Sequence, residues 1–562
     1  MVYILDLAVE TLIEIFSRLL FTDIFSCKQT CQTFLDVISN STQLNYHVEL
    51  QMSGMKDNPD CLLPVPVRLK MLKDRELAWA TFNFKFITKV KIPYKPSGQH
   101  DVTAGIFLMG KAHPIERLTS DGIQSVMLPS APDEYVPSKW KDVHLGAMVL
   151  DFRPAIGEHD LLACVLLVPD DENPSIANVK VILRNYSDTH KDHDAALMPS
   201  ISVCSVNAQE IPEIHVEISG ETLAIIVGLF ADLHEPEEVF RLFLFDWKTG
   251  YNKTPIPIRV FNPGIVFLRE DVLLQPNMKT GALDIYSIPR SSTDGDSNEV
   301  QHLLSLCFPS LNPGYFISYM TARCEPGTTS NSDFPKHTPK MRPYANDPAA
   351  AIAVILLEIH TPDNEERSQR LETDEDETTR TIINFVMIVH RKALLELVLQ
   401  QPEGNANKET KLPWDVWGPP ITRWFEVGSF EESFNTDSFG QRYVQLINRA
   451  IHIFDFNPSR VKLMAKHGRE LLAERDLELR VIHEDSRIID LGQRPENAVR
   501  SLNPERDVFT GVPAGALPFV QVISTGWPET YDGLLIDEER LLAVLTEDDP
   551  YIIESMDVIY IG

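Results

Sequence analysis

The chain has 562 residues, of which 43% are hydrophobic, and a formal net charge of -30 at pH 7. This length accommodates one small and one large domain, and the apolar content suffices for a conventional core, which disfavours global disorder. The negative charge disfavours nucleic acid and anionic membranes as main partners, because both bind concentrated Lys and Arg.

Cysteine usage and the N-terminal sequence predict the compartment. The seven cysteines are odd in number and scattered, which is typical of a reducing compartment rather than of a disulfide framework. Asp6, Glu10 and Glu14 interrupt the N-terminal segment, unlike the apolar core of a signal peptide. The longest apolar runs, around residues 223–233 and 349–357, are too short to span a bilayer. We therefore expect an intracellular protein of the cytoplasm, the nucleus or both.

The first 50 residues have the spacing of short amphipathic helices. Apolar residues that recur at steps of three and four share one helical face. Here they are Val9, Leu12, Ile13, Phe16, Leu19 and Leu20. Thr22 or Asp23 is expected to cap a second helix that continues to Ile38, and Ser41 to cap a third. Three such helices bury little apolar surface, and domains below about 40 residues usually need a partner or a staple.

The order of residues in this segment is that of a docking motif. It runs through Leu7, Glu10, Ile15, Phe16, Leu19, Asp23, Ile24, Cys31 and Phe34. This order resembles the F-box, by which substrate receptors bind the Skp-type adaptor of a cullin–RING ubiquitin ligase. Ala8 is a departure, because the family usually has proline after the leading leucine.

The resemblance implies a set of adaptor-binding residues. They are Leu7, Ala8, Leu12, Ile13, Ile15, Phe16, Leu19, Asp23, Ile24, Cys31 and Phe34. The apolar members are expected to pack partly against one another and partly against the adaptor. The alternative interpretation is an N-terminal helical hairpin that packs onto the rest of the chain.

A linker and a further predicted helix follow this segment. Residues 51–66 contain one glycine and three prolines, and residues 67–84 have the composition of a helix. The sequence from Arg68 to Trp79 resembles the helix that follows the F-box in large fungal F-box families. We therefore divide the chain into an F-box (1–50), a linker with a connecting helix (51–85), and a client-binding domain (86–562).

The region 86–562 consists mainly of short apolar runs separated by Pro, Gly, Asn and Asp. Residues 240–250 predict a strand and a tight turn at Gly250, and residues 271–286 repeat the pattern around Gly281. Residues 461–479 are the clearest helix. A strand that ends in Asp-Trp-Lys-Thr-Gly resembles a blade of a WD-repeat propeller. The prediction is a multidomain protein with a small all-α F-box and a mainly all-β domain, a β-propeller of six to eight blades.

Three polar segments interrupt the strand pattern, at residues 290–299, 326–348 and 361–381. The last is strongly acidic and is expected to be a solvated loop between two strands. An acidic docking or regulatory segment is the alternative.

The sequence contains only incomplete matches to catalytic and metal-binding motifs. Residues 105–111 have the glycine–lysine frame of a phosphate-binding loop, but Ala112 replaces the required Ser or Thr, so a buried strand is favoured. Cys27 and Cys31 have no histidine nearby and fit a core, whereas His190 and His193 fit a mobile surface loop. We expect no catalytic residue, no cofactor and no metal.

The predicted function is that of a substrate-recognition subunit of a Skp–cullin–F-box ubiquitin ligase. Its partners would be the adaptor, a cullin bound through the adaptor, and a client protein held by the propeller. Two alternatives are an F-box scaffold without a degradative role and a propeller-fold enzyme, which would need converging carboxylates or a metal cluster on its inner strands.

Overall fold

The N-terminal helices are short and closely connected. The computed structural model describes residues 3–113, 119–132, 139–229, 239–289, 299–329, 341–360, 382–401, 410–428, 436–473, 475, 477–483, 488–491, 508–511, 513, 515–527, 531–546 and 552–562. A 3-10 turn, Ile4–Asp6, precedes α1 (Val9–Phe16), α2 (Phe21–Lys28), α3 (Gln32–Asn40) and α4 (Thr42–Ser53). Ser41 caps α4, as predicted, by accepting a hydrogen bond from the Leu44 amide at 3.3 Å.

The predicted second helix is in fact two helices. The prediction of a capping side chain at Thr22 or Asp23 is wrong, because α2 begins at Phe21 and Leu20 occupies the capping position without a side-chain bond. The hydroxyl of Thr30 donates to the Cys27 carbonyl at 2.7 Å, which competes with continuation of the helix. The chain is then extended at Cys31, where α3 starts.

A common core joins these helices. Its fully buried members are Leu12, Phe16, Ile24, Val37, Ile38 and Leu44. The rings of Phe16 and Phe34 meet edge to face at 5.0 Å. Large-to-small changes at such positions typically cost about 2–5 kcal/mol, so this small core governs whether the helices form at all.

The linker contains a strand and a helix. β1 (Met55–Asp57) pairs with β20 (Tyr344–Asn346), and α5 (Val65–Ala80) follows. The helix predicted at 67–84 starts two residues earlier and ends four residues earlier, where Phe82 adopts a positive φ of 44°. The β1–β20 pair lies in the predicted linker and in the predicted polar segment 326–348. Two three-residue strands have no detectable period, so sequence patterns missed this pairing.

In the remaining part of the chain, the described strands form seven groups. Each group contains four strands that pair antiparallel with their neighbours. The first three groups are β3 (Pro96–Thr103), β4 (Ile106–Ala112), β5 (Ser120–Met127) and β6 (Lys141–Val143); β7 (Met148–Ala155), β8 (Leu161–Pro169), β9 (Ile176–Asn185) and β10 (Ser200–Asn207); and β11 (Glu213–Ser219), β12 (Thr222–Leu229), β13 (Val239–Asp246) and β14 (Ile258–Val260). One residue pair, Ser120 with Val149, joins the first group to the second.

The next three groups each carry an additional strand. They are β15 (Val266–Arg269), β16 (Val272–Asn277), β17 (Ala282–Ser287) and β18 (Gln301–Cys307); β19 (Phe316–Arg323), β21 (Ile352–His360), β22 (Ile382–His390) and β24 (Thr422–Val427); and β25 (Ser438–Phe439), β26 (Arg442–Ile447), β27 (Ala450–Asp455) and β30 (Phe519–Ser524). The additional strands are β23 (Lys411–Leu412) beside β18, β29 (Ile489–Asp490) beside β24, and β28 (Leu477–Ile482) beside β30.

The seventh group connects the two ends of the β region. It contains β31 (Gly533–Ile536), β32 (Arg540–Thr546) and β33 (Ile553–Tyr560), and its outer strand is β2 (Phe86–Lys91). β2 pairs with β33 over six residues, from Phe86 opposite Tyr560 to Lys91 opposite Ser555. The first strand of the region therefore completes the last sheet, which confirms a mainly β domain after the helical segment.

The predicted strands and turns agree with these sheets in most places. The turns at Gly250 and Gly281 have positive φ, and β21 pairs with β22 as expected. In the described part of the β region, four α-helices lie between the strands: α6 (Ile156–His159), α7 (Arg391–Leu399), α8 (Trp414–Ile421) and α9 (Pro458–Leu471). The helix predicted at 461–479 is α9, but its second half is wrong, because the chain continues as β28. The acidic segment 361–381 lies outside the described residues.

A buried ion cluster attaches α5 to the β region. The carboxylate of Glu76 binds Arg75 on the same helix, Arg442 of β26 at 2.7 Å and Arg460 of α9 at 3.0 Å. Arg442 also binds Asp455 at 3.2 Å. Burial alone would raise the pKa of Glu76, but the three guanidinium groups outweigh it and lower that pKa to about 2.

We expect Glu76→Ala to lower the free energy of unfolding by about 3–5 kcal/mol, because it leaves buried guanidinium groups without their carboxylate. The depressed pKa adds a pH dependence: the contribution is present above pH 4.5 and is lost as the pH falls towards about 2. Denaturant titration at neutral and acidic pH measures both effects. The matched control is Glu14→Ala, at an exposed helical ion pair, which should change stability by less than about 0.5 kcal/mol.

Candidate functional site

The N-terminal helices expose an unusual amount of apolar surface. Their exposed large side chains, among the described residues, are Tyr3, Ile4, Leu5, Val9, Ile15, Leu20 and Phe25. Exposed apolar side chains grouped in this way are typical of surfaces that bind a partner. We call these seven residues the exposed apolar surface of the N-terminal helices.

Neighbouring contacts hold this surface in place. The Tyr3 amide donates to the Asp6 carboxylate at 2.9 Å, which fixes the 3-10 turn that carries Ile4 and Leu5. The side chain of Gln51, on α4, accepts from the Phe21 amide at 2.8 Å and donates to the Leu19 carbonyl at 3.1 Å. The turn between α1 and α2 is therefore fixed from both sides, with Leu20 exposed at its centre.

The predicted adaptor-binding residues fall into three groups. Leu12, Phe16 and Ile24 are fully buried in the helical core. The half-buried members are Leu7, Ile13, Leu19, Cys31 and Phe34. Ala8, Ile15 and Asp23 are exposed. The buried group supports the helices from inside, and only the other two groups reach the surface.

Sequence reasoning missed part of the exposed apolar surface. Tyr3, Ile4 and Leu5 precede the motif and form their own short turn. Their signal in the sequence is a short apolar run before Asp6, which is too short to show a helical period. Val9 and Leu20 were placed on the apolar face of the first helix, but both are more than half exposed, at 52% and 60%.

A second charged cluster lies among the first strands of the β region. The guanidinium of Arg153, on β7, binds Asp101 of β3 at 2.9 Å, Glu217 of β11 at 3.1 Å, and Glu325, which follows β19. Burial raises the pKa of Asp101 to about 6 and that of Glu217 to about 8, although Arg153 opposes both shifts.

Converging carboxylates are what the enzyme interpretation requires, so this cluster tests it. All three carboxylates share one guanidinium, an arrangement typical of a structural ion cluster. A cavity of about 160 Å³ adjoins it, with Lys56, Arg342 and Glu538 in its wall. Arg342 and Glu538 bind each other, and Lys56 binds Asp347 at 3.4 Å. The charged groups named here are thus paired with one another.

The candidate residues of the phosphate-binding site lie in a strand and a turn, and His193 lies in the buried interior. Residues 106–112 form β4, as predicted, and Gly105 supplies a turn with a φ of 75°. The expectation that His193 lies in a surface loop is wrong: it is buried, with Nε2 2.9 Å from the His159 carbonyl and its ring 4.9 Å from that of Trp247. Within the described ranges no group of three or more His, Cys, Asp or Glu residues could hold a metal ion. Over the same residues, every helix is too short or too polar to cross a membrane.

Comparison with known proteins identifies the helical segment. Residues 4–44 match the family model of the F-box domain, so the segment predicted from the motif is confirmed as an F-box domain. F-box domains bind Skp1-type adaptors. No curated protein matches the chain.

Two solved structures have low similarity to the chain. The first is Kluyveromyces lactis Hsv2, with 8% identity, a TM-score of 0.31, and coverage of 82% of this chain and 98% of that one. The second is the GH43_1 enzyme from Xanthomonas citri complexed with xylotriose, with 9% identity, a TM-score of 0.21, and coverage of 61% and 98%. At these TM-scores neither likeness bears on the arrangement of the sheets.

We expect Ala8→Pro to raise the free energy of unfolding by about 0.4–1 kcal/mol, by restricting the unfolded chain. Ala8 directly precedes α1 with φ -61° and ψ 149°, which proline adopts without strain. Leu7 is extended, as a residue before proline must be. Thermal unfolding of both proteins measures the change. Lower stability of the variant would contradict this account of the helix start.

The Arg153 cluster is expected to make stability depend on pH. Because burial raises the pKa of Glu217, its contribution is complete below pH 4.5 and is lost as the pH rises through about 8. The free energy of unfolding of the wild type should therefore fall across this range, and that of Glu217→Gln should fall less. Denaturant titrations at several pH values test this. Glu172→Gln, at an exposed turn, should keep the wild-type slope.

Proposed function

We propose that the protein is a substrate-recognition subunit of a Skp–cullin–F-box ubiquitin ligase. The observation that carries the proposal is the F-box domain at residues 4–44 together with the exposed apolar surface of the N-terminal helices. A Skp-type adaptor would cover that surface, with contributions from the exposed and half-buried predicted residues. The adaptor would in turn recruit a cullin, and the remaining subunits would transfer ubiquitin.

We further propose that the β region is a propeller of seven blades that holds the client. Seven four-stranded antiparallel groups in chain order support this arrangement. The pairing of β2 with β33 supports a closed ring, because it joins the two ends of the region. The Arg153 cluster supports inner strands that meet at a centre, since it links β3, β7, β11 and the end of β19.

In a propeller, all turns between first and second strands lie on one side. The linker contacts turns of this kind: Arg75 donates to the Glu538 carbonyl at 2.6 Å, and a Cβ on Gly54 would meet the Gln441 side chain. The opposite side carries the turns between second and third strands. The sequence after β8 there is acidic, with Asp170, Asp171 and Glu172, and the segment 361–381 joins β21 to β22. We propose that clients approach from this second side.

The link between the two parts determines how a client is presented. The amide of Asn58 donates to the Pro343 carbonyl at 2.9 Å, and Tyr46 Oη donates to the same carbonyl at 3.2 Å. The side chain of Asn457 donates to the Met52 carbonyl at 2.9 Å. Together with the Glu76 cluster, these bonds hold the F-box at one orientation. A client would then stay close to the ubiquitin-charged enzyme, which raises its effective concentration.

We expect Val9→Glu to weaken binding of a Skp-type adaptor by at least about tenfold, because it places a charge in an apolar contact. Val9 is the first residue of α1, where an acidic side chain suits the helix dipole, so stability should be unchanged. Titration with purified adaptor and a thermal melt measure both effects. The control is Leu197→Glu, an exposed position in the β region that should not affect adaptor binding.

Equal adaptor affinity of Val9→Glu and the wild type would contradict the proposed surface. Phe16→Glu is a poorer test, because Phe16 is buried and its substitution would disturb the helices themselves. Affinity purification from cells, with and without a cullin inhibitor, distinguishes a degradative receptor from a scaffold. Clients of a receptor accumulate under inhibition, and partners of a scaffold do not.

A further inference from the structure

Among the described residues, one outer strand of the β region has no strand paired with its free edge. β10 lies at the end of its sheet, and among the described strands only β9 pairs with it. It contains eight residues, Ser200–Asn207, none of them charged and none proline. Ile201 and Val206 are buried, whereas Ser200, Ser202 and Ser205 are exposed.

The other outer edges of the described sheets are short, covered or charged. β6 and β14 have three residues each, and β23 and β29 cover the edges of β18 and β24. β2 carries two lysines, and β28 carries Glu478 and Arg480. These are the devices by which proteins prevent unwanted strand pairing. β10 has no charged residue, and no strand in the described part of the chain covers its free edge.

The direction of the backbone groups on β10 follows from two hydrogen bonds. The Leu183 amide donates to the Pro199 carbonyl at 2.9 Å, and the Ala208 amide donates to the Ser175 carbonyl at 3.0 Å. Alternate residues of an antiparallel strand point towards the same side, and the register shifts once between Ser202 and Cys204. The N–H and C=O groups of Ser200, Ser202 and Ser205 therefore point away from β9.

We propose that the β10 edge binds an extended segment of a partner protein, which adds a strand to this sheet. The proposal deepens the proposed receptor function by naming the kind of segment that is recognised. Backbone hydrogen bonds to Ser200, Ser202 and Ser205 supply the affinity, and flanking side chains supply the selectivity. Proline is excluded from the part of the segment that pairs, because it cannot donate.

The surroundings of the strand define the chemistry of the segment further. Leu197 and Met198 directly precede β10 and are 79% and 50% exposed. A Cβ on Gly250 would lie 2.8 Å from the Met198 sulfur, so the next strand pair borders the same position. An apolar side chain of the segment fits here, since methionine adapts its shape to many partners. The segment has no net negative charge, because the protein already carries -30.

The same charge disfavours a second copy of this chain as the occupant. Two identical molecules repel each other, and the irregular register at residues 202–204 interrupts a long edge-to-edge pairing. A short flexible segment avoids both obstacles.

The test uses the purified full chain and a display library of random linear peptides. We expect selected peptides to lack proline at their centre and to slow hydrogen exchange at the amides of Ser200, Ser202 and Ser205. Ser205→Pro should weaken their binding by at least about tenfold, the equivalent of one or two backbone hydrogen bonds. It should keep the backbone pairing with β9, because the Ser205 amide points away from that strand. It removes the hydrogen bond from the Ser205 hydroxyl to the Asn178 side chain on β9 (2.8 Å), and the alanine control removes the same bond. Ser205→Ala keeps that amide and should bind within about twofold of the wild type.

Ser202→Lys tests the same edge without proline, so it remains informative if Ser205→Pro fails to fold. It should weaken peptide binding to the same extent, because a lysine on an edge strand opposes pairing. The proposal is overturned if no peptide is selected or if the selected peptides bind Ser205→Pro as tightly as the wild type. It is also overturned if the wild type self-associates and Ser205→Pro does not, which would assign the edge to a second copy. Adaptor binding should be normal in Ser205→Pro and Ser202→Lys. If the proposed receptor function is wrong, Val9→Glu and the wild type will bind the adaptor equally. If only the edge proposal is wrong, Val9→Glu will still weaken adaptor binding.

Discussion

The buried carboxylate of Glu76 is the contact on which the relation between the two parts of the molecule depends. It lies on the linker helix and binds arginines from that helix, from a strand and from a helix of the β region. Taking these charges out of water is costly, so the cluster forms only when all three elements are in place. Apolar packing tolerates small rotations of a helix, whereas this set of charge-assisted hydrogen bonds fixes its direction. The Arg442 guanidinium also lies over the Trp79 ring, at 4.9 Å from its centroid, which ties the same helix by its apolar face.

The Arg153 cluster is also a set of buried ion pairs, but its ratio of carboxylates to guanidinium groups is the reverse of that in the Glu76 cluster. Glu76 has three guanidinium groups for one carboxylate, and its pKa is lowered to about 2. Arg153 has three carboxylates for one guanidinium, and burial raises the pKa of two of them. An excess of guanidinium groups therefore favours the ionised carboxylate in the first cluster, whereas burial disfavours ionisation of Asp101 and Glu217 in the second. Between about pH 4.5 and 8 the contribution of Glu76 to the free energy of unfolding stays constant, while that of Glu217 falls.

The sequence predicted the parts of the structure that depend on local pattern. The F-box motif, the cap at Ser41 and the turns at Gly250 and Gly281 each rest on residues close together in the chain. The parts that it missed depend on distant residues. β1 and β20 are almost 300 residues apart, and each is too short to show a period. Nothing in the local sequence distinguishes Glu76, because only the positions of Arg442 and Arg460 in the fold give it a role. His193 was misjudged because its polar neighbours hide its burial against Trp247.

The net charge connects several of these features. The chain has 81 Asp and Glu residues against 51 Lys and Arg residues, so its net charge is strongly negative. Repulsion between copies then keeps the molecules apart at distances up to roughly 8 Å at physiological salt. An unguarded edge such as β10 is tolerable under that condition, because a neutral or basic segment can approach it while an identical, strongly negative molecule is repelled.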